Sequence, residues 1–473
     1  MNDWPLNKKN FFIALCAAFL VCFIWWGYLF FTAEMQISCD AGAYERLATV
    51  IKDQGWREYF RSGPNREPFY PFLISVSMRL GDFFHCPYQL IQEFFQFGIL
   101  FLTQILMVLL LRRLNVRYGI CILAVICFGL SPAMINSALS LFSEILTYPW
   151  VLLIVLCFSH MADGFPNKSW VRNLSMAAIL AVLFLVVTFV KGIFECITLV
   201  MAAFFILIAF VNLYQRRGSV FLRIIVCTCV FVLVYFLPLH EYKLQNKKYN
   251  GTYVFTDRGH WALCGNIARR AEPLNTQSFL AAIAYIPGEG VCQRLFGKDT
   301  CFFWSFQTSD RISYQKTVEL TADNPSNEEL NRRFLQLSKD NVLKRPIQFV
   351  FLTFLEGFKM FFWESTNIGF VQYPAWLSGV YRHPLLKDLL RGFVSLLTMG
   401  GVFFVFGFVW KKKKEIFLFQ NREASTFFFI LLLFFLFTVF YSLFTILTRY
   451  AFPIVPLYFV CIAFMMDQLI RKI

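Results

Sequence analysis

FFIALCAAFLVCFIWWGYLFF, residues 11–31, is followed after a short polar break by SCDAGAYER, residues 38–46. The first stretch is an apolar run of about 20 residues, the length a helix needs to cross a hydrocarbon core. Lys8 and Lys9 precede it, and no small-x-small cleavage site ends it, so it reads as a retained anchor rather than a removable signal peptide. The second stretch places a carboxylate, Asp40, just beyond that span. An acid at a membrane boundary requires a partner or a task.

The rest of the 473-residue chain repeats the first pattern. It is 58% hydrophobic and 15% charged, with 60 phenylalanines and a mean hydropathy of +0.58. A water-soluble core has no room for so many large apolar rings, whereas lipid-facing helices expose them freely. The composition therefore predicts an all-α polytopic membrane protein. In a soluble protein a net charge of +15 would suggest nucleic acid as partner. Here the basic residues cluster beside spans: Lys8/Lys9, Arg112/Arg113/Arg117, Lys168/Arg172, Arg216/Arg217/Arg223, Lys411 to Lys414 and Arg471/Lys472. Membrane lipids, not nucleic acid, are the expected surroundings.

Placing every cluster in the cytoplasm satisfies the positive-inside rule and predicts ten spans: 11–31, 90–111, 118–136, 142–161, 174–190, 193–213, 220–239, 391–410, 425–446 and 450–470. The chain divides into an N-terminal membrane module, 1–239, whose first external loop is 33–89; an external domain, 240–345; an interfacial helix and linker, 346–390; and C-terminal spans, 391–473. The run 346–363 is interrupted by Gln348, Glu356 and Lys359 and is expected to lie at the interface. Most of the 14 cysteines fall inside spans; among the external ones, Cys292 and Cys301 are close enough in sequence to bridge. The five histidines are scattered and give no zinc spacing. No cofactor is expected, and a divalent-metal requirement stays open.

With this threading, Asp40, Arg66, Glu67, Glu144, Lys191 and Arg449 come from distant segments to one outer boundary. A carboxylate can take a proton from an attacking hydroxyl while cations hold a departing phosphate. Phosphate held at a membrane implies a lipid carrier. Arg449 offers a two-pronged donor and Lys191 a point charge, which suits them to a polyprenyl phosphate. Plainer roles exist for each group: Asp40 as a helix cap, Arg66 and Glu67 as a local ion pair, Glu144 as a cap and Lys191 as a snorkelling lysine. Trp304 fits either sugar stacking or a core.

Four motifs carry a family resemblance: Asp40-x-x-x-Tyr44; Arg66-Glu67-Pro68-Phe69-Tyr70-Pro71; Ser143-Glu144 opening a span; and Thr448-Arg449-Tyr450-Ala451-Phe452-Pro453 before the last span. In their order and common sidedness the chain resembles the C-type glycosyltransferase superfamily (GT-C), the group containing protein O-mannosyltransferases and lipid A aminoarabinose transferases. The motifs cover about the first 240 residues and the last 80.

The resemblance implies a GT-C-like bundle with extracytoplasmic juxtamembrane helices and a small mixed or helical external domain. It implies an inverting sugar transfer from a polyprenyl-phosphate-linked donor, with Asp40 as catalytic carboxylate. Lys191 and Arg449 are then the donor-phosphate ligands, while Tyr44, Arg66, Glu67, Glu144 and Tyr450 shape the substrate pocket. Protein O-mannosyltransferases carry Asp-Glu where this chain has Asp40-Ala41, which favours a glycan or lipid-linked acceptor over a protein. The expected location is a bacterial-type inner membrane, with the active site on the extracytoplasmic side. Two rivals remain: an O-antigen polymerase or ligase using lipid pyrophosphate, and a lipid or sugar transporter or flippase.

Overall fold

The computed structural model describes residues 8–165, 168–365, 369–416 and 420–472. It is almost entirely helical, and among the described residues nine helices are long and apolar enough to cross a membrane. The protein is an all-α polytopic membrane protein. The side chains of Lys8 and Lys414, two members of the expected basic clusters, and 366–368 of the expected linker lie outside the described residues.

The first span is α1 (Lys8–Thr32). Three helices follow in the first loop: α2 (Asp40–Asp53), α3 (Trp56–Arg61) and α4 (Phe69–Phe84). The next spans are α5 (Tyr88–Arg113), α8 (Glu144–Ala162), α9 (Trp170–Val190), α10 (Ile193–Tyr214) and α11 (Gly218–Asn250), with α6 (Tyr118–Leu130) and α7 (Pro132–Ala138) between α5 and α8. The external segment folds as α12 (Arg258–Ala271), α13 (Thr276–Ala284), α14 (Glu289–Phe296), α15 (Lys298–Phe302), α16 (Phe306–Leu320) and α17 (Asn327–Lys344). After α18 (Pro346–Phe358) and α19 (Ala375–Arg382) come α20 (Pro384–Lys411), the short α21 (Lys413–Ile416) and α22 (Arg422–Ser442). A 3-10 turn, Thr448–Ile454, leads into α23 (Val455–Ile470).

The segment expected as one span at 118–136 is two helices bent by 58°. Proline cannot donate to the preceding turn, and its ring favours the first position of a new helix. Pro132 therefore opens α7, with Ser131 as its N-cap. The buried Glu364 holds the break: its carboxylate accepts from Ser131 Oγ at 2.7 Å and from the Ala133 amide at 3.0 Å. In the last turn of α6, beside this break, the Trp26 indole donates to the Gly129 carbonyl at 2.7 Å, and a side chain at Gly129 would collide with Cys22 and Gln104. α1, α5 and α6 meet there.

Charges gather at the two ends of the bundle. At one end Arg113 binds Ser159 and Asp163, Arg422 donates to the Arg113 carbonyl, and Arg117 Nε reaches the fully buried Asp467 at 2.8 Å. The far ends of α5 and α8 and the start of α6 thus share one basic face. The opposite face carries α2, α3, α4 and the external helices.

α11 continues past the expected boundary at 240 as far as Asn250 and carries the external helices away from the bundle. α12 packs against α16 and α17, and a disulfide joins Cys292 to Cys301. Trp304 is 4% exposed beside that bridge, its indole donating to the Ser278 carbonyl, so it is core and not a sugar platform. Buried Arg269 and Arg270 clamp the link after α22: Arg269 binds Thr445 Oγ1 at 2.8 Å and Arg270 the Phe444 carbonyl at 2.7 Å. Glu356 of α18 accepts the Ile446 amide at 2.7 Å and Lys359 at 2.8 Å. A two-residue ladder pairs Glu34–Met35 with Val371–Gln372, tying the end of α1 to the stretch before α19.

Asp467 is the carboxylate on which the basic face closes. Asp467→Leu is expected to destabilise the protein by about 1–3 kcal/mol, because Arg117 loses its partner in a largely buried position; thermal unfolding in detergent measures it.

Candidate functional site

Asp40 is the first residue of α2, but its carboxylate does not cap that helix. Cys39 stands at the N-cap with φ of +47° and makes no side-chain cap bond. A non-glycine residue in that region is strained, and the surrounding contacts must hold it there. The two carboxylate oxygens of Asp40 go to different arginines: Oδ1 to Arg66 and Oδ2 to Arg449. Burial by itself would raise the Asp40 pKa. The guanidinium groups of Arg449 and Arg66 outweigh it and hold the carboxyl well below the usual range. Burial opposes the charge on Arg66 as well, while the Tyr44 hydroxyl and Asp40 favour it, and its pKa ends above the ordinary value.

Arg66 does not pair with its neighbour Glu67. It lies over the Tyr44 ring, 5.0 Å from the centroid, and its own carbonyl accepts from Tyr59. Glu67 instead accepts the Gly192 amide at 2.8 Å, fastening the first loop to the link between α9 and α10. A side chain at Gly192 would come within 3.2 Å of that carboxylate, so a small residue lets Glu67 approach. Tyr44 shares a hydrogen bond of 3.0 Å with Ser143, the residue before Glu144.

The second ion pair sits beside the first. Lys191 Nζ donates to Glu144 Oε1 at 2.8 Å, with 14% of the lysine side chain and 3% of the glutamate side chain exposed. Lys191 therefore does not snorkel to the headgroups. Burial alone would drive its proton off; the Glu144 carboxylate more than offsets this and keeps the amine charged. Lys191 also stands 5.8 Å from the centre of the Tyr450 ring. Arg449 lies over Phe142, 4.6 Å from the centroid, and its Nε is buried with no partner among the described residues.

All eight residues singled out in the sequence border one cavity of about 720 Å³, between the membrane bundle and the external helices. That volume falls within the range of about 300–1,000 Å³ typical of small-molecule sites. Tyr44, Arg66, Glu67 and Asp40 come from the first loop, Glu144 and Lys191 from span ends, and Arg449 and Tyr450 from the turn before α23. Both expected phosphate ligands rest against carboxylates, Arg449 against Asp40 and Lys191 against Glu144. An arriving phosphate would compete with Asp40 for Arg449 and with Glu144 for Lys191.

Sequence reasoning missed several wall residues. Arg391, near the start of α20, borders the same cavity and donates to the carbonyls of Glu364 and Pro287 at 3.1 and 3.0 Å. An arginine at the head of an apolar run was a visible signal. Trp261 and Asn266 of α12 and Gln307 of α16 also face the cavity. Nothing in the local sequence marks them, since packing of the external helices brings them there. Glu195 lies in the first turn of α10 and pairs with Lys243 of α11. Among the described residues no cluster of His, Cys, Asp and Glu is arranged to hold a metal.

The buried Lys191–Glu144 pair gives a double-mutant test. Lys191→Met and Glu144→Gln are each expected to destabilise more than their combination implies, with a coupling of about 0.5–3 kcal/mol from thermal or denaturant unfolding. Asp40 gives a pH test. Its folded-state pKa lies below its unfolded one, so its contribution is complete above the ordinary carboxylate range and is lost as pH falls below about 4. The stability difference between wild type and Asp40→Asn is expected to shrink from pH 7 toward pH 3. No protein-family model and no curated protein matches this chain, so the reading of the site rests on its own residues and geometry.

Proposed function

We propose that this protein is an inverting membrane glycosyltransferase that moves a sugar from a polyprenyl-phosphate-linked donor to a glycan or lipid-linked acceptor. The observation that carries the reading is the charged end of the 720 Å³ cavity, where one carboxylate, Asp40, sits between Arg66 and Arg449 and beside Lys191–Glu144.

In this reaction the acceptor hydroxyl gives its proton to Asp40, and its oxygen forms a bond to the anomeric carbon. The bond from that carbon to the phosphate oxygen breaks, and the electron pair leaves on polyprenyl phosphate, which Arg449 and Lys191 hold. A single displacement of this kind inverts the anomeric centre. The arginine clamp also supports a sequence of events. A carboxylate held by two guanidinium groups is a weak base; donor phosphate that draws Arg449 away raises the proton affinity of Asp40 once the leaving group is in place. Nε of Arg449, lacking a partner among the described residues, is a ready first contact for a phosphate oxygen.

The membrane supplies the location. With the basic face in the cytoplasm by the positive-inside rule, the cavity opens on the extracytoplasmic side of a cytoplasmic membrane, where an envelope glycan or lipid acceptor resides. The rival readings find less support. Arg269 and Arg270 of the external domain are buried and committed to the carbonyls of Ser305 and Phe444 and to threonine hydroxyls, so they do not offer themselves to a lipid pyrophosphate. A transporter would place its charged groups near the bilayer midplane, whereas Asp40, Arg66, Lys191 and Arg449 collect at one end of the bundle.

The decisive assay supplies purified protein in nanodiscs with a polyprenyl-phosphate monosaccharide and, separately, a polyprenyl-pyrophosphate oligosaccharide. Transfer is expected from the first donor. Asp40→Asn is expected to lower it at least about a hundredfold, the scale of a lost general base, while donor binding persists. Undiminished transfer by Asp40→Asn would sink the assignment.

A further inference from the structure

A second cavity of about 520 Å³ adjoins the first, and the two share Asn65 and Trp261 in their walls. It lies between the first loop and the external helices. Asn65 stands in the turn after α3, the chain near Thr252 follows α11, Trp261 comes from α12, and Asn327 and Asn331 from the start of α17. The Asp257 amide donates to the Pro64 carbonyl at 3.2 Å, and Asn250 donates to the Phe60 carbonyl, so the first loop is fastened to the external segment beside this cavity.

The chemistry of this wall differs from that of its neighbour. The charged cavity has four cations, Arg66, Lys191, Arg391 and Arg449, and four carboxylates, Asp40, Glu67, Glu144 and Asp310; among the described residues the second has no lysine or arginine. Its polar groups are amides and hydroxyls, with one carboxylate, Asp257. Thr252, Asn327 and Asn331 bring one hydroxyl and two amides to this wall. An amide and a hydroxyl each both donate and accept. A ligand that matches such a wall carries many groups that also do both, which is the character of a neutral sugar ring and not of a phosphate. Trp261 at the junction adds a flat apolar face with a polar edge, suited to the C–H face of a pyranose. A peptide strand would call for a free sheet edge or successive apolar pockets; here the polar groups are dispersed, and among the described residues no strand borders the groove.

We infer that this second cavity is a binding site for an oligosaccharide chain, aligned so that one end of the chain passes Trp261 and Asn65 into the charged cavity. The inference rests on the proposed transferase reading for its direction and narrows the acceptor: the sugar is added to a glycan at least several units long, with the distal units held by the first loop and α17. Donor phosphate and acceptor chain then occupy chemically distinct halves of one continuous site, the first lined by paired cations and carboxylates and the second, among the described residues, without a cation.

The test is independent of transfer. Full-length protein in nanodiscs is applied to arrays of immobilised neutral oligosaccharides, acidic oligosaccharides and peptides. Retention by neutral oligosaccharides of more than one unit is expected. Asn331→Trp and, separately, Asn327→Trp, both on the accessible start of α17, are expected to fill the groove and reduce retention at least tenfold while the elution volume on size exclusion stays unchanged. Retention only by peptides, retention by no oligosaccharide, or retention indifferent to both tryptophan substitutions would overturn the site. Groove-dependent oligosaccharide binding without sugar transfer from a polyprenyl-phosphate donor would overturn the transferase reading and leave the groove standing.

Discussion

A carboxylate at the rim of a hydrocarbon slab is stable as an anion only where cations accompany it, and Asp40 is accompanied by two. Arg66 and Arg449 reach it from segments separated by most of the chain, and each takes one of its oxygens. The contact therefore joins three pieces of backbone at one point: the start of α2, the turn before α4 and the turn before α23. Lys191 and Glu144 repeat the arrangement alongside, joining α8 to the link between α9 and α10. Glu67 adds a neutral tie to the same link through Gly192.

These ties account for the external domain as well as the site. The position of Arg449 depends on the link before it, which Arg269, Arg270 and Glu356 grip through one threonine hydroxyl, one carbonyl and one amide. Buried charges in such numbers are costly unless each is hydrogen-bonded, and each of these three is. The external helices are thus coupled to the charged end of the bundle by the same residues that bury them. A cavity bounded on one side by membrane spans and on the other by soluble helices follows from that coupling.

Two chemistries meet in the resulting space. The membrane side supplies guanidinium and ammonium groups, all of which except Arg391 rest against carboxylates. The external side supplies tryptophan, amides, hydroxyls and the carboxylates Asp257 and Asp310. A lipid-linked phosphate comes from the bilayer and a polar acceptor from water, so the division of wall chemistry matches the directions from which the two substrates of the proposed reaction arrive.

The span lengths, the grouping of positive charges and the acids beside the apolar runs were legible in the sequence, because hydrophobic length and charge asymmetry are properties of contiguous residues. So was the list Asp40, Arg66, Glu67, Glu144, Lys191 and Arg449, since an ionisable residue beside an apolar run stands out wherever the chain later goes. Pairing was not legible. That Arg66 would leave Glu67 for Asp40, that Lys191 would turn inward to Glu144, and that Trp261 would reach the cavity while Trp304 stayed in a core depend on contacts between segments far apart in sequence. The break at Pro132 is intermediate: the proline announces it, but the 58° bend is kept by Glu364, which only the folded chain brings there. What the sequence by itself determined was which groups could not remain in lipid; the tertiary structure decided which partner each would find, because ion pairs and hydrogen bonds require approach within a few ångströms and the local pattern of a chain does not encode that distance.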